Sequence, residues 1–166
     1  MAISMYQASV PVFQKMLKNL DGVLDKAVAS AEARKFDPAV LLNARLAPDM
    51  YAFTRQVQIA TDHAKGAPAR LAGLEPPKFE DNEASFADLK ARLARVQAYL
   101  ATLTPAQIDG SEERKIVLKF GPREFEFIGL PYLTQFVLPN FYFHYSMAYA
   151  ILRHNGVDVG KRDFVG

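Results

Sequence analysis

The chain has 166 residues, which is enough for one domain with its own hydrophobic core. Half of the residues are apolar and 23% are charged, which is typical of folded rather than disordered proteins. The net charge of only +2 gives no reason to expect a nucleic-acid or membrane partner, and the absence of cysteine excludes disulfides and thiolate metal sites. We therefore expect a soluble, cytoplasmic protein in which residues 1–166 form a single domain.

The first predicted helix spans roughly residues 2–30. Apolar residues recur there at alternating steps of four and three, which places them on one helical face: Tyr6, Val10, Phe13, Leu17, Leu20 and Leu24. Pro11 lies close enough to the predicted start to be tolerated. In the connector that follows, Asp37–Pro38 is expected to begin a short helix, which Pro48 interrupts.

Two further helices are predicted from the same periodicity. The second carries Met50, Phe53, Val57, Ala60, Ala64, Ala67 and Leu71, and Gly73 can cap its C-terminus. A proline-containing loop follows, in which Asp81 and Asn82 are candidate N-caps for the third helix. That helix carries Phe86, Leu89, Leu93, Val96, Leu100 and Leu103 and is expected to end at Thr104–Pro105.

A short β-hairpin is predicted before the last helix. From Lys115 the sequence alternates apolar and polar residues about a Gly121–Pro122 turn. The residues that would share its apolar face are Ile116, Leu118, Phe120, Phe125 and Phe127. Because a lone hairpin is barely stable, we expect this face to pack on the helices or on a second subunit.

The last predicted helix carries two polar residues on an otherwise apolar stripe. Steps of four and three give Leu133, Val137, Asn140, His144, Met147 and Ile151. An unpaired buried polar group costs about 1–3 kcal/mol, so Asn140 and His144 are expected to bond to each other, to Gln56 or to buried water, or to form a site. Aromatic residues surround this helix, which indicates that the hairpin or a dimer partner covers its outer face.

The start of the second helix offers two interpretations. Asp49 follows Pro48 and could N-cap that helix, or it could pair with Arg45 over the mouth of the bundle. His63 lies beside the apolar face of the same helix, and is either a partly exposed residue or a ligand.

Three stretches resemble the DinB-like (DinB/YfiT-type) four-helix-bundle superfamily, in its branch of bacterial proteins with a domain of unknown function. They are ARLAPDMYAFTRQVQIA, PNFYFHYSMAYAILRHNGV and GKRDF. In that superfamily the last helix carries His-x-x-x-His followed by Leu-Arg-x-x-Gly. His144 falls at the second His, and Leu152, Arg153 and Gly156 match the ending. The resemblance implies an all-α, up-down-down-up four-helix bundle, here with a small β-hairpin inserted before the last helix.

The resemblance also implies a metal site that this chain has altered. Metal-binding members hold zinc or nickel with one histidine from the second helix and the pair from the last. Here Asn140 replaces the first His of the pair, and an amide is a poor ligand for these metals. On the second helix, His63 is the only histidine available.

Two functions are therefore predicted. The first is a homodimeric bundle that is non-catalytic or binds a small ligand without a cofactor, in a polar pocket formed by Asn140, His144, Gln56, Asp49 and Arg45. The alternative is a divalent-metal-dependent enzyme, a thiol-dependent transferase or hydrolase-like protein, with zinc or nickel at His144, His63 and Asn140. The sequence assigns no catalytic residue.

Overall fold

The computed structural model describes residues 3–166, except for the side chain of Phe120. Its elements in chain order are α1 (Val10–Arg34), α2 (Ala39–Leu42), α3 (Phe53–Leu71), α4 (Phe86–Leu100), α5 (Pro105–Ile108), β1 (Lys115–Phe120), β2 (Arg123–Ile128), α6 (Gly129–Pro131), a π-helical segment (Tyr132–Val137), α7 (Leu138–His154) and α8 (Lys161–Val165).

Four long helices form the bundle that the sequence predicts, with the hairpin before the last of them. Helix α3 packs against α7 and α4, and α1 packs against α4. The apolar faces predicted for the first three helices line the core, including Phe13, Val57 and Leu93. The periodicity of apolar residues therefore predicted the fold class correctly.

Several helix boundaries differ from the prediction. Helix α1 begins at Val10, well after residue 2, because Pro11 lies in its first turn, where a missing N–H and a fixed φ are favourable. Ser85, not Asp81 or Asn82, caps α4, since its Oγ accepts the backbone N–H of Asp88 at 3.1 Å. The predicted cap of α3 is correct, because Gly73 follows the helix with a φ of +75°.

The hairpin turns at Gly121–Pro122 as predicted and packs on the bundle. Ile116 pairs with Phe127, and Leu118 pairs with Phe125. Ile116 and Leu118 are buried in the core, and the Phe127 ring lies 4.9 Å from the Phe136 ring. The position predicted for the Phe120 side chain lies outside the described residues. The hairpin thus forms a wall beside α3 and the π-helical segment.

The last long helix runs from Gly129 to His154 but contains a π-helical segment. Pro139 follows this segment, and proline both lacks an N–H and crowds the carbonyl four residues earlier, which disfavours regular α-helix. The wider turn rotates the residues that follow it. The predicted buried stripe is therefore wrong at Asn140 and Met147, which are half-buried, while His144 is buried as predicted.

Helix α8 closes one side of the bundle. The Phe164 ring packs edge-on against the Tyr145 ring at 4.7 Å, and Lys26 forms an ion pair with Asp163 at 2.7 Å. Within residues 3–166, no helix combines the length and apolar character needed to cross a membrane.

Candidate functional site

His144 forms a buried polar pair with Gln56. Its Nδ1 lies 2.7 Å from Gln56 Oε1, while Gln56 Nε2 donates to the Tyr51 carbonyl at 3.1 Å. Because the Gln56 oxygen only accepts, the network assigns the proton to Nδ1 and leaves Nε2 unprotonated. Burial lowers the pKa of His144, and the nearby Arg55 charge lowers it further. The imidazole is therefore neutral at pH 7.

Asn140 does not join this pair. Its Nδ2 donates at 2.6 Å to the carbonyl of Phe136, in the π-helical segment of the same long helix. Of the predicted alternatives, the hydrogen bond between Asn140 and His144 does not form, because the Asn140 amide donates to its own helix and His144 Nδ1 is bonded to Gln56. The predicted bond between His144 and Gln56 is present.

His63 lies beside His144, although the two are distant in the sequence. Their rings are nearly parallel, at 14°, with centroids 6.4 Å apart, and the edge of Phe136 contacts His63. Burial lowers the pKa of His63 to about 4, and the neighbouring His144 contributes in the same direction. Two neutral imidazoles thus lie side by side between α3 and α7.

A cavity of about 510 Å³ opens in front of His63. It lies between α3, the hairpin and the π-helical segment, and its lining includes Tyr51, Ile59, His63, Leu118, Tyr132 and Phe136. Arg70 also lines it and lies 3.3 Å from the Tyr132 hydroxyl, which accepts its hydrogen bond. A neutral imidazole, a phenol and a guanidinium among aromatic walls are typical of small-molecule sites.

The remaining charged residues of the lining have charged partners. Lys65 contacts Asp62 at 2.6 Å, Arg55 pairs with Asp81, and Lys119 lies 3.5 Å from Glu124. Arg70, in contrast, forms no ion pair with any carboxylate in the described part of the chain. Its charge is therefore not neutralised by a described carboxylate and can interact with an anionic group of a ligand.

Arg45 and Asp49 lie away from this cavity. Both are exposed, and Arg45 Nη1 donates to the Pro48 carbonyl at 3.4 Å instead of pairing with Asp49. Helix α3 begins at Phe53 with Ala52 at its N-cap, so the predicted capping role of Asp49 is wrong. The helix therefore begins later in the chain than the prediction placed it.

The residues present fit a three-ligand metal site poorly. Within residues 3–166 there is no group of three His, Cys, Asp or Glu placed to hold a metal ion. His63 and His144 offer two imidazoles, but Asn140 is bonded to its own helix and Asp62 to Arg92 and Lys65. Catalytic zinc sites take three protein ligands and a water molecule.

A buried arginine behind the site was missed by the sequence reasoning. Arg92 on α4 is 1% exposed and contacts Asp62 at 2.7 Å and Glu83 and Asp81 at 3.0 Å. Its Nε donates to Thr61 Oγ1 at 2.7 Å. The signal was available, because Arg92 lies three residues after Leu89 and four before Val96, on the apolar face of the helix. The network anchors the loop before α4 to α3, beside His63.

The low pKa of His63 makes stability depend on pH. Between pH 6.5 and about pH 4, the unfolded chain binds a proton at His63 that the folded chain does not. The free energy of unfolding should therefore fall as the pH is lowered through this window, by about 3 kcal/mol from this group. His63→Leu should remove that part of the pH dependence in urea titrations. His154→Leu, which removes an exposed histidine, should keep it, and equal slopes in the wild type and in His63→Leu would contradict the prediction.

Comparisons with known proteins agree with this architecture. The family described as "Domain of unknown function (DUF1993)" matches residues 5–165. A crystal structure of a DinB family member protein from Shewanella denitrificans is similar, with 43% sequence identity and a TM-score of 0.89. The match covers 97% of this chain and 91% of that one. No curated protein matches the chain.

Proposed function

Since the chain belongs to the DUF1993 family and is DinB-like, we propose that it is a small-ligand-binding bundle whose ligand occupies the cavity in front of His63. The observation that carries the proposal is the arrangement of that cavity. A neutral imidazole, the Tyr132 hydroxyl and the Arg70 guanidinium meet there at an aromatic wall.

The residues around His63 are themselves held by hydrogen bonds and ion pairs, which supports a binding role. Gln56 holds His144, and the parallel His144 ring lies behind His63. On the other side, Arg92 holds Asp62, the residue before His63. Residues whose own partners are fixed hold a ligand-binding side chain in one orientation and reduce the entropy lost on binding.

A thermal-shift screen with small metabolites tests the proposal. A ligand present at one hundred times its Kd should stabilise the fold by about 2.7 kcal/mol, or about 5–10 °C in Tm. The shift should be lost in His63→Leu and kept in His154→Leu, which removes an exposed histidine outside the cavity. Hits that stabilise both variants equally would place binding elsewhere and reject this site.

The alternative proposal is a divalent-metal-dependent enzyme. The specific observation in its favour is the approach of the His63 and His144 rings to 6.4 Å between their centroids. Plasma mass spectrometry of purified, tag-free protein separates the two proposals. Near-stoichiometric zinc or nickel that is lost in both His63→Leu and His144→Leu would support the enzyme. Metal-free protein, even after incubation with excess divalent ions, would reject it.

We further propose a homodimer, because large apolar side chains of the hairpin and the last long helix are exposed. Phe143 is 53% exposed, Leu130 45% and Phe125 43%. Large exposed apolar side chains are expected to be covered when a protein forms an interface. Light scattering on the protein used in the screen should give twice the chain mass of 18.5 kDa. A mass of one chain at all concentrations would reject the dimer.

A further inference from the structure

We propose that the ligand carries a phosphate or similar multivalent oxyanion, which binds in a second, basic cavity adjoining the first. This inference rests on the proposed ligand site and names the chemical class of its ligand. The second cavity has a volume of about 770 Å³. It shares four lining residues with the first, namely Arg70, Pro76, Leu118 and Lys119. One molecule can therefore reach both.

The charges of the second cavity are strongly unbalanced. Its lining has five cationic residues, Arg70, Lys78, Arg114, Lys115 and Lys119, and one acidic residue, Glu75. Lys115 and Lys119 pair with Glu126 and Glu124 across the hairpin. The other three come from α3, from the loop before α4 and from the residue before β1, and form no ion pair with a carboxylate in the described residues.

Two glycines make room for the two guanidinium groups. A Cβ built at Gly66 would lie 2.6 Å from Nη1 of Arg70, and one at Gly73 would lie 2.5 Å from Nη1 of Arg114. Gly66 is buried inside α3, where glycine costs about 1 kcal/mol relative to alanine. The glycine at this position is thus unfavourable for the helix but lets Arg70 fold back over it toward the cavity.

Backbone groups add hydrogen-bond donors to the cationic side chains. The lining includes the consecutive residues Lys115–Lys119 of β1, so the cavity runs along this strand. Within the described residues, β1 pairs only with β2, which leaves N–H groups of its other edge free to donate. A single carboxylate has acceptors for one arginine, whereas a multivalent oxyanion such as pyrophosphate has acceptors for several guanidinium and backbone donors.

The test is an NMR titration with inorganic pyrophosphate at constant ionic strength, with sodium chloride as the matched salt. We expect saturable shifts of the Gly73 and Arg114 amides with a Kd on the order of 1 mM. Arg70→Met and Arg114→Met should each weaken binding at least about tenfold. Lys161→Met removes one exposed positive charge outside the cavity and should change the affinity by less than about twofold.

Gly66→Ala is expected to weaken anion binding without lowering the stability of the fold. The added methyl group should displace the flexible end of Arg70 and weaken pyrophosphate binding about threefold or more, while leaving the helix at least as stable.

Equal shifts with chloride, or unchanged affinity in both arginine variants, would overturn the inference. If His63-dependent ligands are found in the screen while pyrophosphate does not bind, the anion site is rejected and the ligand cavity stands. Pyrophosphate binding that depends on both arginines, without any His63-dependent ligand, supports the anion site and rejects the first cavity.

Discussion

Replacing Arg92 with methionine is expected to lower the free energy of unfolding by about 3 kcal/mol, or about 6–12 °C in Tm. Methionine keeps an apolar stem in the core but removes the charge that joins Asp62, Asp81 and Glu83. Glu83 is the critical partner, because its side chain is only 6% exposed and would keep a single donor, Gln58 Nε2 at 2.7 Å. Urea denaturation followed by circular dichroism measures the loss.

Arg95→Met is the matched control for Arg92→Met. Arg95 lies on the same helix, but it is exposed and its guanidinium stacks over the Phe79 ring at 4.0 Å. An exposed cation–π contact contributes about 0.5–1 kcal/mol, so this variant should lose no more than that. A similar loss in both variants would show that the buried ion network does not stabilise the fold as proposed.

Replacing Gly129 with alanine is expected to lower the free energy of unfolding by about 4 kcal/mol. Gly129 joins β2 to the last long helix, and a Cβ there would overlap the backbone carbonyl oxygen of Ser111. A second backbone oxygen, that of Glu112, would lie 3.2 Å away. Because backbone atoms cannot swing aside like the end of a side chain, the hairpin would have to shift away from the helix.

Gly22→Ala is the control for Gly129→Ala. Gly22 lies in α1 with no atom within 4 Å of a built Cβ, so alanine should stabilise the helix by about 0.5–1 kcal/mol. The two substitutions add the same methyl group and should change stability in opposite directions. A loss below about 1 kcal/mol in Gly129→Ala would mean that the junction relaxes easily. The close approach to Ser111 would then not constrain the hairpin.

The substitutions at Arg92 and Gly129 are also expected to affect ligand binding in the cavity in front of His63. The Arg92 network holds Asp62 next to His63, and Gly129 sets the position of the hairpin that forms one wall of both cavities. Effects on ligand binding should therefore accompany the losses in stability, even though neither residue lines the cavity in front of His63.

Of the residues predicted for a site, His63 lines the observed cavity, whereas the predicted polar pocket of Asn140, His144, Gln56, Asp49 and Arg45 is not part of its lining. His144 and Gln56 were recognised because each is a polar residue whose position could be followed along a helical face, and they form a direct hydrogen bond. Asn140 was predicted to be buried because the apolar stripe was counted from Leu133 in regular α-helical steps. The π-helical segment before Pro139 is wider than an α-helical turn, so that count does not hold across it. Arg45 and Asp49 were misplaced because α3 begins only at Phe53.

Local patterns in the sequence determined the helices, the hairpin and its register, and the family resemblance, because each depends on residues a few positions apart. The tertiary structure alone decided the rest. It placed His63 against His144, buried Arg92 among carboxylates from α3 and a loop, and brought the guanidinium groups of Arg70 and Arg114 to one cavity. Most of these contacts join residues tens of positions apart, and their energies depend on burial and charge that exist only once the helices and hairpin have packed.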